Sequence, residues 1–144
     1  MENIEGSHWN YGDKELLALL NNGKLNPQLF NHEAHIRVSW TLLEDHALPV
    51  AIDRICSTIL TYVSHLGAED KFHKTLTVAG AYAVFHFKRK SKATTVKSFL
   101  LEFPQLKYEF NELISSHYST ERLNSIEAKE RYIQPDLSSF HHLT

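Results

Sequence analysis

Apolar residues recur every three to four positions along most of the chain, the spacing of amphipathic helices. Almost no stretch shows the alternation of a half-buried strand. Helices are predicted at 13–22, 31–46, 49–66, 69–89, 94–102, 104–116 and 124–133. The pattern therefore predicts an all-α fold: a single-domain helical bundle of about six to seven helices. Its core is expected to be formed by the helices at 31–46, 49–66 and 69–89.

Capping and breaker residues set the expected helix boundaries. Asn31 is the expected N-cap of the second helix, Pro49 suits the first turn of the third, and Gly67 suits its end. Asn124, followed three residues later by Glu127, resembles a capping box. The single domain is expected to span 1–144, with an N-terminal arm at 1–12 and an irregular C-terminal tail at 135–144.

Length and composition are those of a soluble globular protein. The chain has 144 residues, 42% of them hydrophobic and 22% charged, which suits one domain with a real core. A lone cysteine, Cys56, cannot form an internal disulfide and lies on the apolar side of the third predicted helix, which favours burial and a cytoplasmic location. The N-terminal stretch lacks the pattern of a secretory signal. No apolar run approaches the roughly 20 residues that span a bilayer, so no membrane association is expected.

Charge argues against nucleic-acid binding. The net charge is −2, and the basic stretch at 87–92 is short, so it is interpreted as a solvated helix end. No motif for an organic cofactor is present. Ten histidines are the unusual feature of the composition. They predict either metal binding or a response to mild acid.

Two of these histidines occupy "FNHEAHIRVSW", residues 30–40. A helix advances about 100° per residue, which places His32 and His35 with Ile36 on the apolar face. Glu33 and Arg37 fall on the face expected to meet water. The two imidazoles are therefore expected to point into the bundle.

A third histidine, His73, is predicted to lie on the apolar face of the helix at 69–89. Glu69 precedes it by four positions, a spacing that brings side chains together on a helix. Glu69 is therefore a candidate fourth ligand or a carboxylate that orients the imidazole. The alternative is that Glu69 only favours the helix N-terminus.

Together, His32, His35 and His73 make a candidate metal site. Neutral imidazoles suit a divalent transition metal such as zinc, iron, copper or nickel, and three protein ligands leave a position for water or substrate. The competing interpretation is that buried histidines are satisfied by backbone groups or by the nearby hydroxyls of Ser39, Thr75 or Thr77.

Four segments resemble a family of small, mostly bacterial, functionally uncharacterised helical proteins. They are "FNHEAHIRVSW" (30–40), "KFHKTLT" (71–77), "HYSTERLNS" (117–125) and "AKERYIQPDL" (128–137). The family's F-x-H-x-x-H and aromatic-His-x-Thr motifs correspond to Phe30, His32, His35, Phe72, His73 and Thr75. Family members often have Glu where this chain has Lys74. The resemblance implies a helical fold and supports these positions, but it implies no reaction and no ligand.

The segment at 117–125 contributes further candidates. Ser119 and Ser125 are interpreted as capping residues, because no strand-Ser-helix elbow or matched triad accompanies them. Tyr118 is a candidate lid over the site.

The leading hypothesis is a small metal-binding helical protein with a three-histidine site; whether it is also a metal-dependent enzyme acting on a small-molecule substrate is left open. The alternative is a non-enzymatic helical binding or interaction module whose histidines are structural or pH-sensing. The oligomeric state is left open.

Overall fold

Nine α-helices and three short 3₁₀ turns make up the secondary structure of residues 6–140, the part of the chain that the computed structural model describes. That part contains no β-strand. The helices are α1 Asp13–Asn21, α2 His32–Asp45, α3 Leu48–His65, α4 Lys74–Lys90, α5 Val96–Glu102, α6 Gln105–Tyr108, α7 Phe110–Ser115, α8 Thr120–Leu123 and α9 Ile126–Glu130. The predicted all-α, single-domain bundle is confirmed.

The helices α2, α3 and α4 pack against one another, and α1 packs on α2 and α3. Ile55 of α3 and Val38 of α2 are almost completely buried in one apolar cluster. Val84 of α4 lies in a second cluster with Ile36 of α2. The sequence predicts a core of these three helices, and α2 and α4 each contribute to more than one apolar cluster.

The boundaries of α2 and α3 follow their capping residues. Asn31 is the N-cap of α2, and its side-chain oxygen accepts a hydrogen bond from the Ala34 amide at 2.9 Å. Pro49 lies in the first turn of α3. Gly67 follows α3 with φ of +68°, a left-handed conformation that glycine adopts without strain.

The predicted helix at 69–89 begins later than its sequence indicates. Glu69–Lys71 is a 3₁₀ turn, Phe72 and His73 are extended, and α4 starts at Lys74. His73 is the N-cap of α4, because its ring Nδ1 accepts a hydrogen bond from the Leu76 amide at 3.0 Å. The assumption that Glu69 and His73 share one helix is therefore wrong.

Two later predicted helices are each divided or shifted. The predicted helix at 104–116 is interrupted at Glu109, whose backbone (φ −127°, ψ 27°) leaves the helical region between α6 and α7. The predicted helix at 124–133 begins later and ends earlier than expected, since α9 covers Ile126–Glu130 only and is capped by Ser125 instead of Asn124. The N-caps are Ser119 for α8 and Ser125 for α9, so the capping interpretation of both serines is confirmed.

The N-terminal segment covers part of α2. Residues 1–5 lie outside the described part, but His8 is fully buried and Arg37 is only 4% exposed. The expectation that Arg37 meets water is therefore wrong, because residues 8–13 pack over that face of α2.

At the other end, residues 135–140 have no regular structure, and Phe140 is buried. The tail residues 141–144 lie outside the described part. None of the helices within residues 6–140 is long and apolar enough to cross a membrane.

Candidate functional site

A cavity of about 250 Å³ lies between α2, α3 and α4 and is closed on one side by α7. Most of its wall is apolar, and His32, His35 and His73 all line it. The other lining residues are Ile36, Ser39, Ile55, Ile59, Val63, Lys71, Phe72, Leu76, Thr77, Gly80, Val84 and Phe110. The structure thus brings the three histidines predicted from the sequence to one cavity.

His32 lies at the exposed rim of this cavity, in the first turn of α2. Its Nε2 donates a hydrogen bond to the Leu106 carbonyl at 2.9 Å. Its ring contacts Phe110 with centroids 4.6 Å apart. His32 therefore joins α2 to α6 and α7, and its expected inward orientation is only partly met.

His35 lies deeper, and its ring stacks on Phe30 with centroids 4.0 Å apart and an interplanar angle of 18°. Burial, with a smaller contribution from His32, lowers its pKa from 6.5 to about 4. The ring is therefore neutral at pH 7, with one N–H donor and one acceptor nitrogen. Among residues 6–140 we find no hydrogen bond to either nitrogen, so both remain for a molecule in the cavity.

His73 has both ring nitrogens engaged by the backbone. Nδ1 accepts the hydrogen bond from the Leu76 amide, so Nε2 carries the proton and donates to the Leu123 carbonyl at 2.9 Å. His73 thereby caps α4 and fixes the end of α8 beside it. The interpretation that backbone groups satisfy these histidines holds for His32 and His73.

The hydroxyls of Thr75 and Thr77 bond to backbone groups and not to the imidazoles. Thr75, which is fully buried, donates to the Arg131 carbonyl at 2.8 Å and accepts from the Ile133 amide at 3.1 Å. Thr77 donates to the backbone carbonyl of His73 at 2.7 Å. The segment 71–77 therefore holds the C-terminal part of the chain against α4.

The three imidazoles are not arranged to bind one metal ion together. Within residues 6–140 no group of three or more His, Cys, Asp or Glu side chains is arranged to hold an ion. Because both ring nitrogens of His73 form hydrogen bonds, binding a metal would require His73 to give up its bond with the Leu76 amide or with the Leu123 carbonyl. The ring nitrogens of His35 and the Nδ1 atom of His32 are the better-placed metal ligands.

Glu69 and Tyr118, the other candidates from the sequence, lie away from the cavity. Glu69 is exposed in the 3₁₀ turn and does not line the wall. Tyr118 is buried in a separate apolar cluster, where its hydroxyl donates to the Ile133 carbonyl at 2.6 Å. Burial, together with the contact to Tyr132, raises the Tyr118 pKa far above its ordinary value. Tyr118 therefore stabilises the C-terminal segment and does not cover the cavity.

The sequence reasoning gave no contact role to Phe30, which it named only as a motif residue, and did not single out Phe110 or Lys71. Phe30 and Phe110 contact the rings of His35 and His32, and Lys71 lies at the wall of the cavity. Phe30 belongs to the same short segment as the two histidines, which was a usable signal. Phe110 and Lys71 carry no local signal, because only the packing of distant segments brings them to the cavity.

A second polar cluster occupies the other face of α2, and we call it the Arg37 cluster. Arg37 donates to the carbonyls of His8 and Tyr11 at 2.7 and 2.6 Å, and its Nε pairs with Asp13 at 2.8 Å. Glu33 completes the cluster, and its partners are His8 at 2.8 Å, Trp9 at 2.9 Å and Lys107 at 2.9 Å.

The charge state of His8 in this cluster follows from its environment. Burial is the main cause that lowers the His8 pKa, and it outweighs the opposing effect of the Glu33 carboxylate. Arg37 donates to the Nδ1 atom of His8 at 3.2 Å, so Nε2 carries the proton that goes to Glu33. Every polar group of this cluster thus has a partner within the protein, which makes the cluster structural.

Comparisons with family models, with curated proteins and with solved structures each gave no match. The resemblance to the helical family therefore stays a prediction. The site must be interpreted from its own geometry.

Proposed function

We propose that this protein binds a small, largely apolar molecule in the cavity between α2, α3 and α4. The observation that supports the proposal is a mostly apolar, partly open cavity between the three central helices of the bundle. Protein interiors are normally packed with few voids larger than a water molecule. A volume of about 250 Å³ is far above that and slightly below the roughly 300 Å³ at which sites for drug-sized ligands begin.

The cavity has few polar groups, as small-molecule sites usually do. These groups differ in whether their ring nitrogens can bond to a ligand. His35 offers a neutral donor and acceptor within an apolar wall, which suits a ligand with one polar group. His32 and His73 serve as struts at the rim through their bonds to Leu106 and Leu123. This corresponds to a non-enzymatic binding module with structural histidines.

A pH-sensing role for the cavity is the less favoured form of this module. A pKa of about 4 keeps the His35 imidazole neutral throughout the physiological range.

The lone, buried Cys56 further supports a cytoplasmic location for the protein.

Binding is tested by changing the volume of the cavity at Gly80. A Cβ at this position would meet only the ring of Phe110, at 3.4 Å, so Gly80→Ala is accommodated, whereas Gly80→Leu would fill space inside the cavity. Saturation-transfer NMR with a library of small apolar fragments is the measurement. We expect a subset of fragments to bind the wild type and Gly80→Ala and to be lost in Gly80→Leu.

The folding of each variant is checked by circular dichroism and thermal unfolding. Val63→Phe fills the cavity from α3 and serves as an independent second variant. If no fragment distinguishes the wild type from a folded cavity-filled variant, binding in this cavity is refuted.

The second candidate function is the metal-dependent one, and the observation that favours it is that His32, His35 and His73 line one cavity. Such an ion would supply Lewis acidity for a reaction of a small-molecule substrate. Elemental analysis of protein purified without a histidine-affinity column tests this. Stoichiometric metal in the wild type that is absent from His73→Asn, in which Asn still caps α4, would support it. A metal-free wild type would exclude it.

A further inference from the structure

We infer that the ligand of this cavity is a small carboxylate, with its apolar body between α3 and α4 and its anionic end towards Lys71. The inference rests on the proposed binding function and adds the charge and chemical class of the ligand. The charged residue and the helix N-termini around the cavity support it.

The ionised side chains around the cavity have one sign. Among the described residues that line it, Lys71 is the only Lys or Arg, and none is Asp or Glu. Lys71 is exposed, and it has no ion-pair partner within residues 6–140. Its neighbours in the chain, Glu69 and Asp70, are exposed and do not line the cavity. An anionic ligand in the cavity therefore has a lysine at its wall and no lining carboxylate to repel it.

The backbone adds to this positive potential. His32 lies in the first turn of α2, and His73 is the N-cap of α4, so two long helices direct their N-terminal ends towards the same cavity. The N-terminal end of a helix carries a partial positive charge and favours anions. A cationic ligand would meet repulsion from both helices and from Lys71.

The interior, by contrast, does not support a charge. Ile55, Ile59 and Val84 line it, and the environment keeps the imidazole of His35 neutral at pH 7. Burying an ion among such groups costs far more than burying a methylene chain or a ring. The anionic end must therefore lie at the rim, and the apolar body fills the interior.

Matched pairs of compounds test the inference directly. Benzoate and benzamide share an apolar body and differ in charge, as do hexanoate and hexanamide. Titrations of the wild type with all four at low ionic strength, followed by NMR, give the affinities. We expect each acid to bind up to about fivefold more tightly than its amide, as one partly exposed ion pair provides.

Lys71→Gln removes the cation and keeps a long polar side chain. It should lower the affinity for the acids about fivefold and leave the amides unchanged. Lys92→Gln makes the same change of charge at an exposed lysine that does not line the cavity, and it should change neither affinity.

The outcomes separate this inference from the proposed function. If amides bind as tightly as acids, or if Lys71→Gln and Lys92→Gln behave alike, the carboxylate inference is refuted. The same holds if neutral fragments bind in the cavity and neither acid does, in which case the binding function still stands. If no compound distinguishes the wild type from Gly80→Leu, both fail.

Discussion

The two faces of α2 both carry titratable side chains, but these side chains differ in whether they have hydrogen-bond partners within the protein. On one face, Glu33 and Arg37 are bonded to the N-terminal segment and to Lys107. On the other face, His35 lines a cavity and has no hydrogen-bond partner within residues 6–140. Residues 32–37 thus contribute to two faces. On the saturated face the polar side chains have partners, and on the open face His35 has none within the described residues.

The difference shows how a polar residue near the core can be interpreted. A buried polar group without a partner costs roughly 1–3 kcal/mol, so a fold normally satisfies it, as the Arg37 cluster does. His35 differs, because its ring nitrogens face a partly open cavity, where a ligand can bond to them. The open face is therefore the candidate binding surface, and the saturated face is a stabilising one.

The largest expected effect is on the saturated face. Arg37→Met keeps most of the side-chain length but leaves Asp13 without its partner and the carbonyls of His8 and Tyr11 without their donor. Breaking such a buried network costs about 3–5 kcal/mol, and partial exposure of Asp13 favours the lower end. We expect a loss of about 3 kcal/mol in the free energy of unfolding, measured by urea denaturation.

Arg54→Met is the matched control, because Arg54 is exposed on α3. It should change the free energy of unfolding by no more than about 0.5 kcal/mol. Equal losses in the two variants would mean that the Arg37 cluster contributes nothing specific.

The next effect is the pH dependence that His35 contributes on the open face. In the unfolded chain its imidazole titrates near pH 6.5, whereas in the folded protein its pKa is about 4. Between these values the unfolded state binds a proton that the folded state does not. The stability contributed by the neutral ring is therefore complete above pH 6.5 and is lost as the pH falls towards 4, by up to about 3 kcal/mol.

His35→Phe isolates this contribution, because the ring can still stack on Phe30 but cannot titrate. Urea denaturation at about pH 7 and about pH 4.5 gives the loss for each protein. The wild type should lose more than the variant, although Glu33 and His8 titrate in both. The same loss in both proteins would contradict a neutral, buried His35.

The sequence was sufficient for the architecture because periodicity and caps are local. The bounds of α2 and α3 follow from Asn31, Pro49 and Gly67, and structure and prediction differ there by at most one residue. The start of α4 was missed because a histidine serves as its N-cap. Capping by imidazole is not part of the usual Ser, Thr, Asp and Asn preference.

For the site, His32, His35 and His73 do line one cavity, although the helical projection treated His73 as part of a helix that begins only after it. The projection could not show what each ring nitrogen bonds, because the partners Leu106 and Leu123 are 74 and 50 residues away in the chain. Their carbonyls are supplied by tertiary packing and leave no trace in the composition. The projection was also wrong about Arg37, because the covering segment lies in a separate part of the sequence.

A smaller loss is expected at Thr75, where a saturated polar group lies close to the cavity. Thr75→Val preserves the shape but removes the donor to Arg131 and the acceptor for the Ile133 amide. Leaving these buried groups unpaired should cost about 2 kcal/mol. Faster hydrogen exchange of the Ile133 amide is the local measurement. Thr94→Val, at an exposed position, should leave it unchanged, and equal exchange in both variants would contradict this role for Thr75.

The smallest effect is a gain, at Gly80 on the open face. Glycine within a helix is about 1 kcal/mol less favourable than alanine, and the new methyl group would meet only Phe110 at 3.4 Å. Gly80→Ala should therefore raise the free energy of unfolding by about 0.5–1 kcal/mol. Gly67→Ala is the contrasting variant, because its φ of +68° strains alanine even though no atom lies near. It should lose about 1 kcal/mol. A loss at Gly80 as well would mean that the cavity wall has no space for a methyl group, and the open face would then be as tightly filled as the saturated one.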